Sequence, residues 1–114
     1  MPPTAVEMPL DKSSYPSRAD VKLTLVNNAR RTLGYNACTR QVERESGGGW
    51  TVVPEPDRVC TMELRILDAN ETVTEQTDLP QLQPGRYRIA LNFSDEASGS
   101  GGPIRATSSP FDVR

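Results

Sequence analysis

The chain has 114 residues, the size of one small domain, and its 13 Lys and Arg against 15 Asp and Glu give a net charge of −2. That balance provides no bulk electrostatic reason to expect nucleic acid or an anionic membrane as a partner. From the length we expect a single domain over residues 1–114. The chain contains no histidine, which removes the commonest general base and the usual transition-metal ligand. We therefore expect a protein that is not an enzyme and carries no cofactor.

The first 17 residues are expected to form a weakly ordered edge segment. Residues 5–10 give a weak strand, and Tyr15 with Pro16 gives a second short extended piece. The weak strand contains Pro9 and is therefore expected at a sheet edge, where proline is tolerated. No basic and apolar leader precedes them, and no apolar run is long enough to cross a bilayer. We therefore expect no membrane insertion, and a chain from which any signal sequence is missing.

The first clear strand covers residues 20–26, because its apolar and polar residues alternate. Its apolar face consists of Val21, Leu23 and Leu25. Residues 27–34 follow as a loop, in which Gly34 allows the chain to turn back. We then expect a longer strand over residues 35–45.

Three glycines at 47–49 predict the tip of a hairpin, and residues 50–53 the strand that returns from it. Trp50 begins the returning strand. Stacking on a ligand is one alternative for this side chain, but a tryptophan at the start of a hairpin strand more often packs over the sheet edge. We therefore assign Trp50 a structural role.

Two further strands are predicted in the middle of the chain. Residues 60–66 place four side chains on one parity, which we expect to be buried: Cys60, Met62, Leu64 and Ile66. Residues 71–79 form a weaker strand, in which Val73 is the only large apolar residue before Leu79.

The strongest predicted strand follows the turn at Pro84–Gly85. Its apolar face consists of Tyr87, Ile89, Leu91 and Phe93. A tyrosine just past such a turn is typical of a β-sandwich corner, where its hydroxyl bonds back to upstream backbone. Gly85 and Tyr87 are therefore assigned structural roles, since a catalytic Tyr87 would lack a base. We expect residues 94–103 to be mobile and residues 104–114 to close the sheet.

Cys38 and Cys60 are the only cysteines, and both fall on the predicted buried parity of their strands. A disulfide between them would stabilise a thin core by roughly 3 kcal/mol. Two buried, reduced cysteines of a cytosolic protein are the alternative. Two thiolates without histidine fall short of the four ligands of a zinc site, so no metal site is predicted.

Two tripeptides match the N-glycosylation pattern. They are Asn70-Glu71-Thr72 and Asn92-Phe93-Ser94. The second lies within the strongest predicted strand, and from the sequence alone chance suffices to explain both matches.

The order of these features resembles the bacterial immunoglobulin-like domains of exported proteins and lipoproteins, over roughly residues 18–113. The residues that carry the resemblance are Asn27, Asn28, Gly34, Tyr35, Glu43, Arg44, Trp50, Leu82, Pro84, Gly85, Tyr87, Arg88 and Ile89. The resemblance implies an all-β, immunoglobulin-like antiparallel β-sandwich of about seven strands. It also implies a secreted or cell-envelope location, periplasmic or extracellular, and a non-catalytic role.

A second resemblance is to the chagasin-type cysteine protease inhibitors, which are immunoglobulin-like sandwiches. Residues 32–35, Thr-Leu-Gly-Tyr, are similar to the Thr-Thr-Gly-Tyr loop of that family. The second threonine differs, however, and no Arg-Pro-Trp loop is evident. The resemblance implies that a loop occludes a protease active site, with the residues Arg30, Arg31, Leu33, Gly34 and Tyr35.

We accordingly expect a non-catalytic binding or structural module that is monomeric as an isolated domain. Its expected partner is a protein or a cell-envelope component. Protease inhibition through the loop at residues 30–35 is the alternative function.

Overall fold

The computed structural model describes residues 5–61, 63–95 and 104–114. In this part of the chain, short strands form two sheets that pack face to face, so the predicted all-β sandwich is confirmed. The strands are β1 (Val6–Glu7), β2 (Ser14–Tyr15), β3 (Asp20–Asn27), β4 (Leu33–Tyr35), β5 (Gln41–Ser46), β6 (Gly49–Val52), β7 (Arg65–Leu67), β8 (Thr72–Asp78), β9 (Gly85–Asp95), β10 (Ile104–Thr107) and β11 (Phe111–Val113).

The smaller sheet has the order β1-β3-β8. β3 shows the predicted alternation, since Val21, Leu23 and Leu25 are each at most 2% exposed. β8 pairs with β3 along its whole length, from Asp20 opposite Asp78 to Val26 opposite Thr72. The weaker strand predicted at residues 71–79 is thereby confirmed. Its few apolar residues fit an edge strand that buries only part of one face.

β9 is the central strand of the larger sheet. One of its edges pairs with β10 and β11, and the other with β4 and β5. β6 extends the sheet beyond β5, β7 extends it beyond β4, and β2 pairs with β11. The pairing of β2 with β11 is parallel, whereas all the other pairings above are antiparallel. Four strands therefore take their position directly from β9.

The inner face of β9 supplies the centre of the core, as predicted. Its four large side chains are each at most 2% exposed: Tyr87, Ile89, Leu91 and Phe93. They form one cluster with the apolar face of β3 and with Phe111 of β11. The Phe111 ring stacks on Tyr87 at 6.2 Å and meets Tyr15 edge-on at 5.4 Å. Burying one such side chain stabilises the fold by roughly 1.5–3 kcal/mol.

The N-terminal segment contributes side chains to the core. Residues 5–17 contribute Val6, Met8 and Tyr15 to the core, each at most 3% exposed. Burial and a hydrogen bond from the Tyr15 hydroxyl to Asp11 raise the pKa of Tyr15 to about 12. Residues 5–17 therefore pack into the sandwich, and the weak order expected of residues 1–17 stays a prediction. Residues 1–4 lie outside the described part of the chain.

The strand predicted at residues 35–45 is interrupted. A 3₁₀ helix at Ala37–Thr39 separates β4 from β5, and the Asn36 side chain caps it by accepting from the Cys38 amide at 3.1 Å. Asparagine is a favoured N-cap because its side-chain oxygen reaches amides that a helix leaves without partners. The sequence predicted Cys38 on the buried face of a strand, whereas it lies in this helix.

The glycine hairpin is confirmed. Gly47 and Gly48 have φ of +59° and +82° between β5 and β6. A two-residue turn of this kind requires left-handed values at both positions, and glycine adopts them without a steric cost.

The strand predicted at residues 60–66 is mostly wrong. Only Arg65–Leu67 forms a strand, and the side chains expected to be buried are not: Leu64 is 55% exposed and Ile66 49%. Met62, expected on the same face, lies outside the described residues.

The pairing of β7 with β4 explains this error. Leu67 lies opposite Leu33, and both are 0% exposed inside the sandwich. Ile66 lies opposite Gly34 and therefore points to the other face, because successive residues of a strand alternate.

The expected mobile stretch at residues 94–103 begins with the last two residues of β9. Residues 96–103 lie outside the described part of the chain. β10 and β11 follow and complete the sheet, as predicted for residues 104–114.

Candidate binding edge beside the disulfide

The predicted disulfide between Cys38 and Cys60 is present. The Cα atoms of the two residues are 5.7 Å apart and the sulfur atoms 2.04 Å. Cys38 lies in the 3₁₀ helix and Cys60 in a segment that forms no strand, and both are half-buried. The pairing is therefore confirmed, whereas the predicted reason for it, a shared buried parity on two strands, is wrong.

A buried arginine holds the segment between β6 and β7 against the sandwich. Arg40 is 3% exposed and forms an ion pair with Glu55 of that segment. It also donates to the Thr77 hydroxyl at 3.1 Å and to the Asp78 carbonyl at 2.6 Å, both in β8. A buried charge without partners would cost several kcal/mol. Arg40 therefore joins the two sheets and the segment at one point.

A second arginine strengthens this attachment. Arg58 donates to the Cys38 carbonyl at 2.9 Å and to the Asp78 carboxylate at 3.3 Å. Burial alone would raise the pKa of Asp78, but hydrogen bonds from its own backbone amide and from Arg58 lower it. The chain from Glu55 to Cys60 is consequently fixed by a covalent bond and by two ionic contacts.

The fixed segment and β7 expose large apolar side chains. Val59 is 88% exposed, Leu64 55% and Ile66 49%. Leu64 also lines a cavity of about 390 Å³, together with Asn36, Thr39, Cys60, Thr61 and Glu63. Single exposed apolar residues are ordinary, and what sets this stretch apart is that three of them follow so closely in the sequence. We call Val59, Leu64, Ile66 and the outer edge of β7 the disulfide edge.

The outer edge of β7 has no strand partner in the described part of the chain, because β7 pairs there with β4 alone. The charge of Arg65 in this strand is balanced by Glu63 at 3.1 Å and by Glu75 at 2.9 Å. The disulfide edge therefore combines unpaired strand backbone, apolar side chains and little net charge.

The outer face of the larger sheet carries charges that satisfy one another. The Glu43 carboxylate is 5% exposed and accepts from Arg88 and from Arg105, each at 2.6 Å. Burial alone would raise the pKa of Glu43, but these two arginines hold it below its ordinary value of 4.5. The Arg88 guanidinium also lies 4.4 Å from the centre of the Trp50 ring, a cation–π contact.

The three residues with predicted structural roles lie on the larger sheet or at its end. Trp50 is half-buried in β6 under that guanidinium. The Tyr87 hydroxyl donates to the Gln83 carbonyl at 2.8 Å, which is the geometry of a sandwich corner. Gly85 begins β9, and a Cβ there would meet Arg44 and Tyr87 at 3.5 Å, an ordinary contact. Space alone does not require glycine at this position.

The residues of the predicted binding loop do not form one exposed loop. Arg30 is exposed with φ of +61°, and Arg31 is partly buried. The other three residues are buried in β4: Leu33, Gly34 and Tyr35. They are buried because β4 lies between β7 and β9. These five residues therefore do not form the exposed loop that protease inhibition would require.

A buried asparagine, whose role the sequence pattern did not predict, connects several loops. Asn27 is 0% exposed, and its side-chain amide donates to the carbonyls of Arg31 at 2.8 Å and of Leu67 and Asp68 at 3.1 Å. Its side-chain oxygen accepts from the Ala29 amide at 2.9 Å. The signal was present in the sequence, because Asn27 continues the buried parity of β3, and a buried polar side chain must find partners.

The residues that the structure describes contain no cluster of three or more His, Cys, Asp or Glu side chains placed to hold a metal ion. No helix among them is long and apolar enough to span a membrane.

Comparisons with known proteins identify the family. No curated protein matches the chain. A solved structure of Pseudomonas fluorescens alkylpurine DNA glycosylase AlkC, bound to DNA containing an abasic site analog, is similar over 99% of this chain at 14% identity and a TM-score of 0.47. The chain spans only 31% of that protein. The bacterial Ig-like domain family matches residues 2–102. The chain therefore belongs to the bacterial Ig-like domain family.

Proposed function

We propose that the domain is a non-catalytic binding module of an exported or cell-envelope protein, and that the disulfide edge docks an extended segment of a partner protein. The observation that carries the proposal is the exposure of Val59, Leu64 and Ile66. They lie in a stretch that a disulfide and two arginines anchor at one end and the pairing of β7 with β4 anchors at the other. A rigid apolar surface favours binding, because little conformational freedom is lost when a partner covers it.

Family membership and the disulfide support the exported setting. Disulfides form and persist in the bacterial periplasm and outside the cell, and are rare in the cytosol. Cys38 and Cys60 are the only cysteines of the chain, and they are joined. In an oxidising compartment this bond keeps the disulfide edge in one conformation.

The shape of the edge supports an extended partner segment. Such a segment can add to β7 as a further strand, so that backbone hydrogen bonds supply affinity and alternate side chains contact Leu64 and Ile66. Because Arg65 is already neutralised by Glu63 and Glu75, apolar side chains of the partner match this edge better than charged ones.

Selection of short random peptides against the folded, oxidised domain tests the docking site. We expect the selected peptides to be apolar at alternate positions and to shift the NMR signals of the β7 amides. Ile66→Lys should weaken their binding at least about tenfold, since it places a charge at the centre of the contact. Gln76→Lys, at an exposed position on the outer face of β8, is the matched control and should bind as the wild type does.

Two results would overturn the docking site. One is a set of peptides that bind Ile66→Lys as tightly as the wild type; the other is a selection that yields no binder. The exported setting is tested separately by trapping the thiols of the natural host with an alkylating reagent before fractionation. We expect oxidised protein outside the cytosol, and reduced cytosolic protein would contradict this part of the proposal.

A further inference from the structure

The turn between β7 and β8 carries one of the two N-glycosylation tripeptides, Asn70-Glu71-Thr72. The Glu71 amide donates to the Asp68 carbonyl at 3.0 Å and closes a four-residue turn. Asn70 is the third residue of the turn and has φ of +64°. This conformation is the one that a type II turn requires there, and asparagine tolerates it better than most residues.

Both reactive groups of this tripeptide are accessible. The Asn70 and Thr72 side chains are exposed. Among the residues that the structure describes, none forms a hydrogen bond with the Asn70 carboxamide or with the Thr72 hydroxyl. Asn70 is anchored through its backbone instead, since its amide donates to the Asn27 carbonyl at 3.0 Å. A group bound to the Asn70 side chain would therefore project from the fold without displacing a contact.

The second tripeptide provides a contrast within the same molecule. Asn92 is also exposed, but it lies in β9, where it pairs with Arg105 of β10. Ser94, the third residue of that tripeptide, pairs with Gly34 of β4. An enzyme that binds the acceptor in a new conformation would have to break the centre of the sheet to use Asn92. To use Asn70 it would only have to open a turn and the first residues of an edge strand, which open far more readily.

We infer that Asn70 is an acceptor for N-linked glycosylation by a transferase that uses a polyprenyl-diphosphate-linked oligosaccharide. The carboxamide nitrogen of Asn70 attacks C1 of the first sugar, and the new N–C1 bond replaces the bond between C1 and the diphosphate oxygen. The polyprenyl diphosphate leaves with the electron pair of that bond, and the amide proton passes to a base of the transferase. The inference rests on the exported setting of the proposed function, since exposed tripeptides of this kind are modified in secreted proteins.

The test uses the folded, oxidised chain, a purified bacterial oligosaccharyltransferase and a lipid-linked oligosaccharide. Peptide mass spectrometry should find the glycan on Asn70 and not on Asn92. The reduced chain in urea, returned to buffer immediately before the reaction, shows whether the enzyme accepts either tripeptide once the sheet is broken. Thr72→Ala keeps Asn70 and its turn but removes the hydroxyl of the pattern, so it should abolish modification at Asn70.

Three results would overturn the inference. They are a folded chain that stays unmodified while the unfolded chain is modified at Asn70, a folded chain modified equally at Asn70 and Asn92, and an Asn70 that is accepted in neither state. The assay needs neither export nor a docking partner, so these results leave the proposed function standing. Conversely, failure of the docking experiment leaves the acceptor assay unaffected.

Discussion

Replacing Asn27 by aspartate should destabilise the domain more than replacing it by alanine. The two N–H groups of the Asn27 side chain serve three carbonyl oxygens at 2.8–3.1 Å, and its oxygen accepts one amide. Asn27→Ala removes these bonds at about 1 kcal/mol each, so a loss of about 3–4 kcal/mol is expected. Asn27→Asp keeps the size of the side chain, but turns a carboxylate oxygen towards the same carbonyl oxygens.

The Asn27→Asp variant should also acquire a pH dependence of known sign. A carboxyl at 0% exposure among carbonyl acceptors is favoured in its protonated form, which can still donate. Its folded-state pKa is therefore raised above the unfolded value of about 3.9. Stability is greatest below that value and falls as pH rises towards the folded-state pKa, by about 1.4 kcal/mol per pH unit.

Urea unfolding followed by Trp50 fluorescence measures the free energy of unfolding at each pH. The matched control is Asn92→Ala, which removes an exposed asparagine and should stay within about 0.5 kcal/mol of the wild type. A free energy of unfolding for Asn27→Ala within about 1 kcal/mol of the wild type, at an unchanged denaturant slope, would contradict this role of Asn27. So would an Asn27→Asp variant that gains stability relative to the wild type between pH values of about 4 and 7.

Three further predictions concern the ion pairs, the disulfide and the sandwich corner. Glu43→Gln should lower the free energy of unfolding by about 2 kcal/mol at neutral pH. Because the Glu43 pKa is lowered, the stability difference between wild type and variant should shrink as pH falls through that pKa. Urea unfolding at several pH values measures it, and a difference that does not change with pH would mean that the ion pairs contribute nothing. The double variant Cys38→Ser, Cys60→Ser should have a free energy of unfolding about 3 kcal/mol lower, given the sequence separation of 22 between the two cysteines. The oxidised wild type should be lighter than its reduced form by two hydrogen atoms. Free thiols after oxidative purification would contradict the disulfide. Tyr87→Phe should lose about 1 kcal/mol and stay folded, as only the bond to the Gln83 carbonyl is removed; an unchanged melting temperature would argue against that bond.

Period-two alternation predicted the core strands because it reports which residues share a face. It succeeded for β3 and β9, where the apolar parity is also the inner one. It failed at Leu64 and Ile66, because alternation does not say which of two faces points inwards. Leu67, the residue opposite Leu33, settles that question in the sandwich. An apolar parity that faces outwards has the same sequence pattern as a buried one, so the disulfide edge could not be found before the pairing was known.

The interruption at Ala37–Thr39 escaped prediction for a different reason. A helix of three residues contains a single turn and has no periodicity to detect. Its only sequence signal is Asn36, a residue suited to cap a helix and equally common in turns. The correct pairing of Cys38 with Cys60 was therefore predicted on a wrong local structure. A disulfide requires only that two Cα atoms come within reach, and many backbone arrangements meet that condition.

The position of β9 at the centre of the larger sheet also governs how the domain folds. β9 pairs with β4 and β5, which precede it by tens of residues, and with β10 and β11, which follow it. Such non-local pairing is slow, and sandwiches of this kind fold in milliseconds to seconds. During synthesis β9 is made before β10 and β11, so one of its two edges stays unpaired until these strands have been made. The domain should therefore fold late and as a unit, and the amides of β9 should be the last to exchange with solvent in the native state.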